Sequence, residues 1–327
     1  MQMLNLGGTG LKVSAIGLGL AAIGRPGYIN LGRDLDLGPE RSVESMRQRS
    51  HDLLDAAYAG GVRYFDAARS YGRAEEFLAS WLDRRGLGPS DVTVGSKWGY
   101  RYTADWRVGA DVNEIKDHSL ANLRRQVAES RALLGERLRL YQIHSATLES
   151  GVLDDRDVIG ELARLAEAGL AVGLSVSGPR QAVTVRRALE VKVDGRSPFA
   201  SVQATWNLLE PSAGPALAEA AEAGWGVIVK EALANGRLVP REGWSLPEAL
   251  ASVARRLGGT ADAVAIAAAR VQPWRSVVLS GAVTRGQITS NIAAANLEPS
   301  SDDLAELGTL AEPPERYWAT RAALAWT

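Results

Sequence analysis

The chain contains no cysteine. That removes disulfides, thiol catalysis and thiolate metal sites together, and it fits a reducing compartment. Only 3 histidines occur in 327 residues, in spacings that match no zinc set. No run of about 18 apolar residues appears, which excludes a membrane-spanning helix. The opening, Met1-Gln2-Met3-Leu4-Asn5, lacks the charged start and apolar core of a secretory leader, so a cytoplasmic protein is expected. Lys+Arg 37 against Asp+Glu 38 leaves a net charge of −1, and no block of like charge marks a nucleic-acid or membrane face. Small molecules are the expected partners. Gly173-Leu174-Ser175-Val176-Ser177 lacks the second glycine of a nucleophile elbow, and no phosphate-cradling G-x-x-x-x-G-K-[ST] occurs. No apolar helix face stands out to fix an oligomeric state.

What is present reads as one globular unit over residues 1–327, with 46% hydrophobic and 23% charged residues. Leu4 to Val13 reads as a hairpin around Gly7-Gly8-Thr9-Gly10. Apolar runs then alternate with amphipathic stretches. The strands are Ala15–Leu20, Tyr64–Ala67, Val92–Lys97, Leu138–His144, Val172–Val176, Ser201–Trp206, Val227–Lys230 and Val277–Leu279. Helical spacing covers Ser45–Ala59, Ala74–Arg85, Val112–Leu134, Asp154–Ala168, Pro179–Leu189, Gly214–Ala223, Pro247–Leu257, Ala261–Val271 and Arg285–Ala294. Gly60-Gly61, Gly169 and Gly224 stop helices before strands. The expected fold class is α/β: a (β/α)8 TIM barrel with an N-terminal β-hairpin cap.

In such barrels the strand C-terminal ends form the reactive face. Three successive strands here end in ionisable groups: Asp66, Lys97 and His144, with Tyr71 five residues beyond the first. A lysine kept charged by a carboxylate favours the phenolate of a neighbouring tyrosine, lowering its pKa from about 10 and making it a usable proton donor. Histidine on the next strand then hydrogen-bonds the oxygen being protonated. Taken singly, each residue has a blander role, as helix cap, core aromatic, rim charge or structural histidine. Their convergence on one face favours the chemical role. His51 and His118 fall in helical patterns and are assigned structural roles. The insertions Arg25 to Arg41 and Gly99 to Asp111 follow strand ends, so they become substrate loops over the same face. Trp98 and Tyr100 belong to that wall.

Gly17-Leu18-Gly19-Leu20-Ala21-Ala22 mimics a dinucleotide fingerprint, but Gly24, Pro26 and Gly27 forbid the helix that must follow. The chain instead resembles an aldo-keto reductase over nearly its whole length. The resemblance rests on Gly8-Thr9-Gly10-Leu11-Lys12-Val13-Ser14 with Gly17-Leu18-Gly19, on Phe65-Asp66 through Tyr71-Gly72, on Ser96-Lys97 and on Gln142-Ile143-His144. It implies that Asp66, Tyr71, Lys97 and His144 form the catalytic tetrad, with Tyr71 as acid in reduction and base in oxidation. It further implies NADPH across the barrel mouth, NADH being the alternative, and an aldehyde or ketone reduced to an alcohol. Ser175 and Gln203 would grip the carboxamide. Leu233, Asn235, Gly236 and Leu238 lie in the loop over the pyrophosphate, and Gly281, Gln287 and Asn291 mark the adenosine end.

The chain departs from the family pattern at several positions. Lys230-Glu231-Ala232-Leu233 stands where the family carries an aromatic on the nicotinamide, so either Trp206 replaces it or Lys230 faces the ring. Val176 replaces an asparagine, with Ser177 as its stand-in, and Val283 occupies the 2′-phosphate position with Arg285 nearby. Arg69 either forks onto a substrate anion or pairs with Glu75 or Glu76. Trp318 is the tail residue assigned to the pocket ahead of Trp326. Two further functions remain open: a cofactor-binding regulator with little turnover, resembling the potassium-channel β subunits, and a sugar or lactol dehydrogenase.

Overall fold

The computed structural model describes residues 1–241, 245–274 and 277–327. Strands β1 (Met3–Asn5) and β2 (Lys12–Ser14) pair antiparallel as the expected hairpin. Strand β3 (Ile16–Gly19) leads to helices α1 (Arg33–Leu37) and α2 (Val43–Ala59). Then come β4 (Tyr64–Asp66), α3 (Ala74–Arg85), β5 (Thr93–Trp98), a second hairpin of β6 (Tyr100–Tyr102) and β7 (Glu114–Lys116), and α4 (Leu120–Leu134). The middle of the chain runs β8 (Leu138–Ala146), α5 (Arg156–Glu167), β9 (Ala171–Val176), α6 (Gln181–Glu190), β10 (Ser201–Thr205) and α7 (Gly214–Glu222). Last are β11 (Gly226–Lys230), α8 (Glu248–Leu257), α9 (Ala261–Arg270), β12 (Val277–Ser280), α10 (Arg285–Ala293), α11 (Ser301–Gly308) and α12 (Pro314–Ala322).

Strands β3, β4, β5, β8, β9, β10, β11 and β12 close a parallel barrel in that order. Every expected barrel strand is present, with ends shifted by a residue or two. The helices outside follow the apolar spacing. In α5, Val158, Ile159, Leu162 and Leu165 fall on one face and are buried, while Asp155 caps the start by accepting from the backbone N–H groups of Asp157 and Val158. Each such aliphatic side chain contributes about 1.5–3 kcal/mol on burial, and Leu162→Ala would cost about 2–5 kcal/mol.

One helix is shorter than its periodicity suggests. Val112–Leu134 reads as a single helix, but Glu114–Lys116 pairs with Tyr100–Tyr102, and the helix begins only at Leu120, where Ser119 accepts from the Asn122 N–H. A local cap and an edge pairing override the spacing. His118 therefore lies off the helix, beside the barrel mouth.

The hairpin stoppers the opposite end of the barrel. Gly8 N–H donates to the Gly224 carbonyl at 2.7 Å, and a Cβ on Gly7 would fall 2.2 Å from the Gly226 nitrogen. Among the described residues no helix is long and apolar enough to cross a membrane.

Candidate active site

Asp66 ends β4 deep in the barrel, beneath Tyr64. The Tyr64 hydroxyl donates to Asp66 Oδ1 at 3.1 Å, and Gly95 on β5 makes the room, since a Cβ there would lie 2.5 Å from that hydroxyl. Gln203 and Gln142 donate to the same oxygen at 3.1 and 3.4 Å. Lys97 at the end of β5 ion-pairs with the other carboxylate oxygen and donates to the Ala67 carbonyl at 2.9 Å. Both partners are almost fully buried. Removing one would strand a charge in a dry site, at about 3–5 kcal/mol.

Tyr71 follows β4 on a tight turn. Its hydroxyl lies 3.4 Å from His144 Nε2, and its ring centroid is 4.9 Å from Lys97 Nζ. His144 sits where β8 slips register against β9, with Ser145 in the left-handed region at φ 53°. That irregularity turns the imidazole into the mouth. Ser70 Oγ shares a hydrogen bond with His144 Nδ1 at 3.3 Å, and His118 Nε2 contacts the His144 carbonyl at 2.9 Å. The four expected residues thus meet at one point.

Their electrostatics differ from the sequence expectation in one respect. Lys97 is expected to lower the Tyr71 pKa, but in the structure burial, followed by the Asp66 carboxylate, pushes the phenol well above its usual value, with Arg25 acting in the opposite direction. The lysine charge is spent on Asp66, so the pair presents little net charge to the phenol. Burial, then Lys97 and Arg25, holds the His144 imidazole well below its usual pKa. At neutral pH the pair is a phenol and a neutral imidazole.

Around them opens a cavity of about 430 Å³, within the range of small-molecule sites. Asp66, Tyr71, His144, Gln203, Lys230, Leu233, Asn235, Gly236, Gly281, Gln287, Asn291 and Tyr100 line it. Several expected site residues do not. Ser175 accepts from the Ser145 N–H at 2.9 Å, and Ser177 takes its place on the wall. Trp206 is buried and packs edge-on against Trp274, 6.0 Å between centroids, so it does not reach the groove. Trp98 packs against His118, Leu238 and Trp318 belong to a buried cluster with Tyr317, and Arg285 is off the cavity wall. Arg69 ion-pairs with Glu75 at 2.7 Å and Glu129 at 3.0 Å, the structural role rather than the substrate one.

The first insertion, expected over this face, builds much of the other wall, through side chains that no motif marks. Arg25, Tyr28, Asn30, Arg33 and Asp36 come from the first insertion, Glu114 from β7, Arg241 from beyond β11, and Arg321 and Trp326 from the tail. Arg25 lies 5.2 Å from the Tyr71 ring centroid and 4.7 Å from that of Trp326. It donates to the Ser70 carbonyl at 3.1 Å and pairs with Glu114 at 2.8 Å. Trp326, ranked below Trp318 on sequence, is the tail aromatic that reaches the cavity. Lys230 donates to Thr205 Oγ1 at 2.7 Å, and burial lowers its pKa to about 8. Burial would raise the neighbouring Glu231 carboxyl, but the charges of Arg321 and Lys230 and hydrogen bonds from Arg321 and Thr205 outweigh it and hold it at about 2. Glu231 itself is held at φ 57°.

Comparison with known proteins places this arrangement. A sequence profile of the aldo/keto reductase family matches residues 15–312. Protein tas of Escherichia coli is 26% identical, the match covering 94% of this chain and 96% of the relative. D-threo-aldose 1-dehydrogenase of a Pseudomonas species is 24% identical over 91% of this chain and 94% of its own length. Among solved structures, the glycerol dehydrogenase AKR11B4 of Gluconobacter oxydans superposes with a TM-score of 0.72 at 20% identity, covering 94% of each chain, and supports the barrel fold. With the profile spanning nearly the whole barrel, the chain belongs to the aldo/keto reductase family, an oxidoreductase on a (β/α)8 scaffold.

Proposed function

We propose that this protein reduces an aldehyde or ketone to an alcohol with a nicotinamide cofactor, Tyr71 acting as general acid. The observation that carries this reading is the Tyr71 hydroxyl, held 3.4 Å from His144 Nε2 at the floor of the cavity with its proton retained at neutral pH. A carbonyl oxygen placed between the two takes a hydrogen bond from one and the proton from the other.

The lining residues fit a dinucleotide. Asn235 Oδ1 and Arg241 Nη1 are buried without partners along the groove, and the backbone at Gly281 is open, its nearest neighbour the Asn30 Nδ2 at 3.9 Å from a built Cβ. Gln203 would hold the carboxamide end, Leu233, Asn235 and Gly236 the pyrophosphate, and Gly281, Gln287 and Asn291 the adenosine. When bound, the cofactor supplies the hydride. After proton transfer the Tyr71 phenolate faces Lys97 and Arg25, whose charges lie about 5 Å from its ring. Asp66 and Glu114 compensate much of those charges, so Lys97 and Arg25 offset only part of the cost of a buried phenolate. Neutral His144 adds no charge and orients the oxygen. Water reaching the mouth returns the proton.

Oxidation of a sugar or polyol is the second reading, supported by the names of two relatives, a D-threo-aldose 1-dehydrogenase and a glycerol dehydrogenase. It requires Tyr71 as a base, against the direction of its pKa. The test is loss of reduced-cofactor absorbance with 4-nitrobenzaldehyde. Turnover that disappears in Tyr71→Phe supports the reductase, whereas cofactor binding without consumption across an aldehyde panel defeats it in favour of a binding protein.

A further inference from the structure

We infer that this protein takes NADH in preference to NADPH, with Asp36 as the selecting carboxylate; the inference rests on reading the groove as a nicotinamide dinucleotide site. Its far end is built by the turn from β12 into α10, where Gly281, Ala282, Val283, Gln287 and Asn291 line the cavity. Helix α1 lies against that end from the first insertion. Gln287 Nε2 donates to Asp36 Oδ2 at 2.7 Å, while Gln287 Oε1 accepts from the Val283 N–H at 2.9 Å. The glutamine thus fixes a carboxylate on the cavity wall where the adenosine ribose would lie.

The groove's buried donors come from the chain beyond β11, and one of them, Arg241, lies within electrostatic reach of Asp36. Asn235, almost fully buried, has an unpartnered Oδ1 and donates through Nδ2 to Asn30 Oδ1 at 3.3 Å. Arg241 stands against Gly32 and Gly236: Cβ atoms built there would fall 1.9 Å from its Nη1 and 2.7 Å from its Nη2. Nη1 is buried without a partner. Asn235 belongs to the Ala234–Gly236 turn, and Arg241, five residues beyond it, reaches back between that turn and Gly32, a placement that suits the pyrophosphate common to the two cofactors. Arg285, the cation that would favour a 2′-phosphate, is not on the wall, and Val283 is. A carboxylate at this end accepts a hydrogen bond from a ribose 2′-hydroxyl and repels a 2′-phosphate, the same logic that an acidic residue serves in doubly wound dinucleotide folds.

Dissociation constants of NADH and NADPH, measured on the full chain by tryptophan-fluorescence titration, test this without reference to turnover. NADH is expected to bind at least tenfold tighter. Asp36→Asn, at an exposed helix position, should bring the two within threefold, and Arg241→Met should weaken both by a similar factor. Tighter or equal binding of NADPH by the unaltered protein overturns the inference. So does an unchanged ratio in Asp36→Asn, or an Arg241→Met variant that loses NADPH alone, which would make Arg241 the reader of the 2′-phosphate. Binding of neither cofactor defeats the dinucleotide reading as well. Selective NADH binding without aldehyde turnover defeats only the reductase and upholds the selectivity.

Discussion

The two walls of the cavity are built by opposite means. On one side, Asp66, Lys97 and His144 end three adjacent strands, and the ladder that forms the barrel fixes their spacing. On the other, residues 25–41 contain one short helix and are held largely by arginines clasping backbone carbonyls. Arg33, 1% exposed, donates to the carbonyls of Ala22, Arg25, Pro26 and Thr327. Arg41 donates to those of Pro26 and Gly38. A guanidinium with five donors can replace a strand's ladder for a loop that has none. The strand wall therefore holds the proton-transfer groups, and the loop wall can vary its shape without moving them.

That contrast can be broken first at the strand wall. Tyr71→Phe should lower kcat for aldehyde reduction by about 10³-fold while cofactor binding stays within twofold. Activity within tenfold of the original would remove Tyr71 as the acid. On the loop wall, Arg33→Met leaves four carbonyls without their shared donor, and chemical denaturation should show a loss of roughly 3 kcal/mol. Limited proteolysis should then cut first between residues 26 and 41. Unchanged stability would mean that the clasp does not hold this wall.

A third measurement sharpens the contrast through pH. Burial lowers the pKa of His118 to about 4 and that of His144 well below its usual value, so below about 6.5 the unfolded chain binds more protons than the folded one. Stability is then complete above 6.5 and falls as pH decreases toward 4. His118 alone accounts for about 2 kcal/mol by pH 4.5. Urea midpoints at pH 7 and 4.5 that differ less in His118→Gln would agree, and an identical difference would not. The smallest effect belongs to Arg69→Met, which should leave KM within twofold and cost about 1–2 kcal/mol, because the buried Glu75 keeps the Ser96 and Ser130 hydroxyls as donors. A large KM rise would restore Arg69 to the substrate site.

How much could be read from the chain follows the same division. The barrel strands and the tetrad were legible because hydrophobic runs mark strands and residues at strand ends share a face. Helix α3 was placed to the residue, its apolar spacing and the αL glycine at Gly86 agreeing. That the first insertion covers the mouth was legible from its place after a strand end, but which of its side chains build the wall was not. Nothing local announces that Arg33 will fold back onto Thr327, or that Asp36 will meet Gln287, since such contacts depend on closure of the whole barrel. Trp206 and Trp98 show the converse error: placement near strand ends suggested exposure to the groove, but large aromatics there packed outward among the helices or against His118. The Tyr71 pKa failed for another reason, because pairwise charge reasoning omitted desolvation and the carboxylate already holding the lysine.

The stopper at the closed end sets a timetable for assembly. Thr93 Oγ1 donates to the Lys12 carbonyl from the third barrel strand, but Gly7 and Gly8 fit against Gly224 and Gly226, so the hairpin's turn has no seat until the seventh strand exists. Completing this seat joins segments more than 200 residues apart, with the entropy of a very long loop still to be lost. Seating of the hairpin is thus a late step of folding, and Met3, left partly exposed even afterwards, is a convenient place to attach a probe that watches it happen.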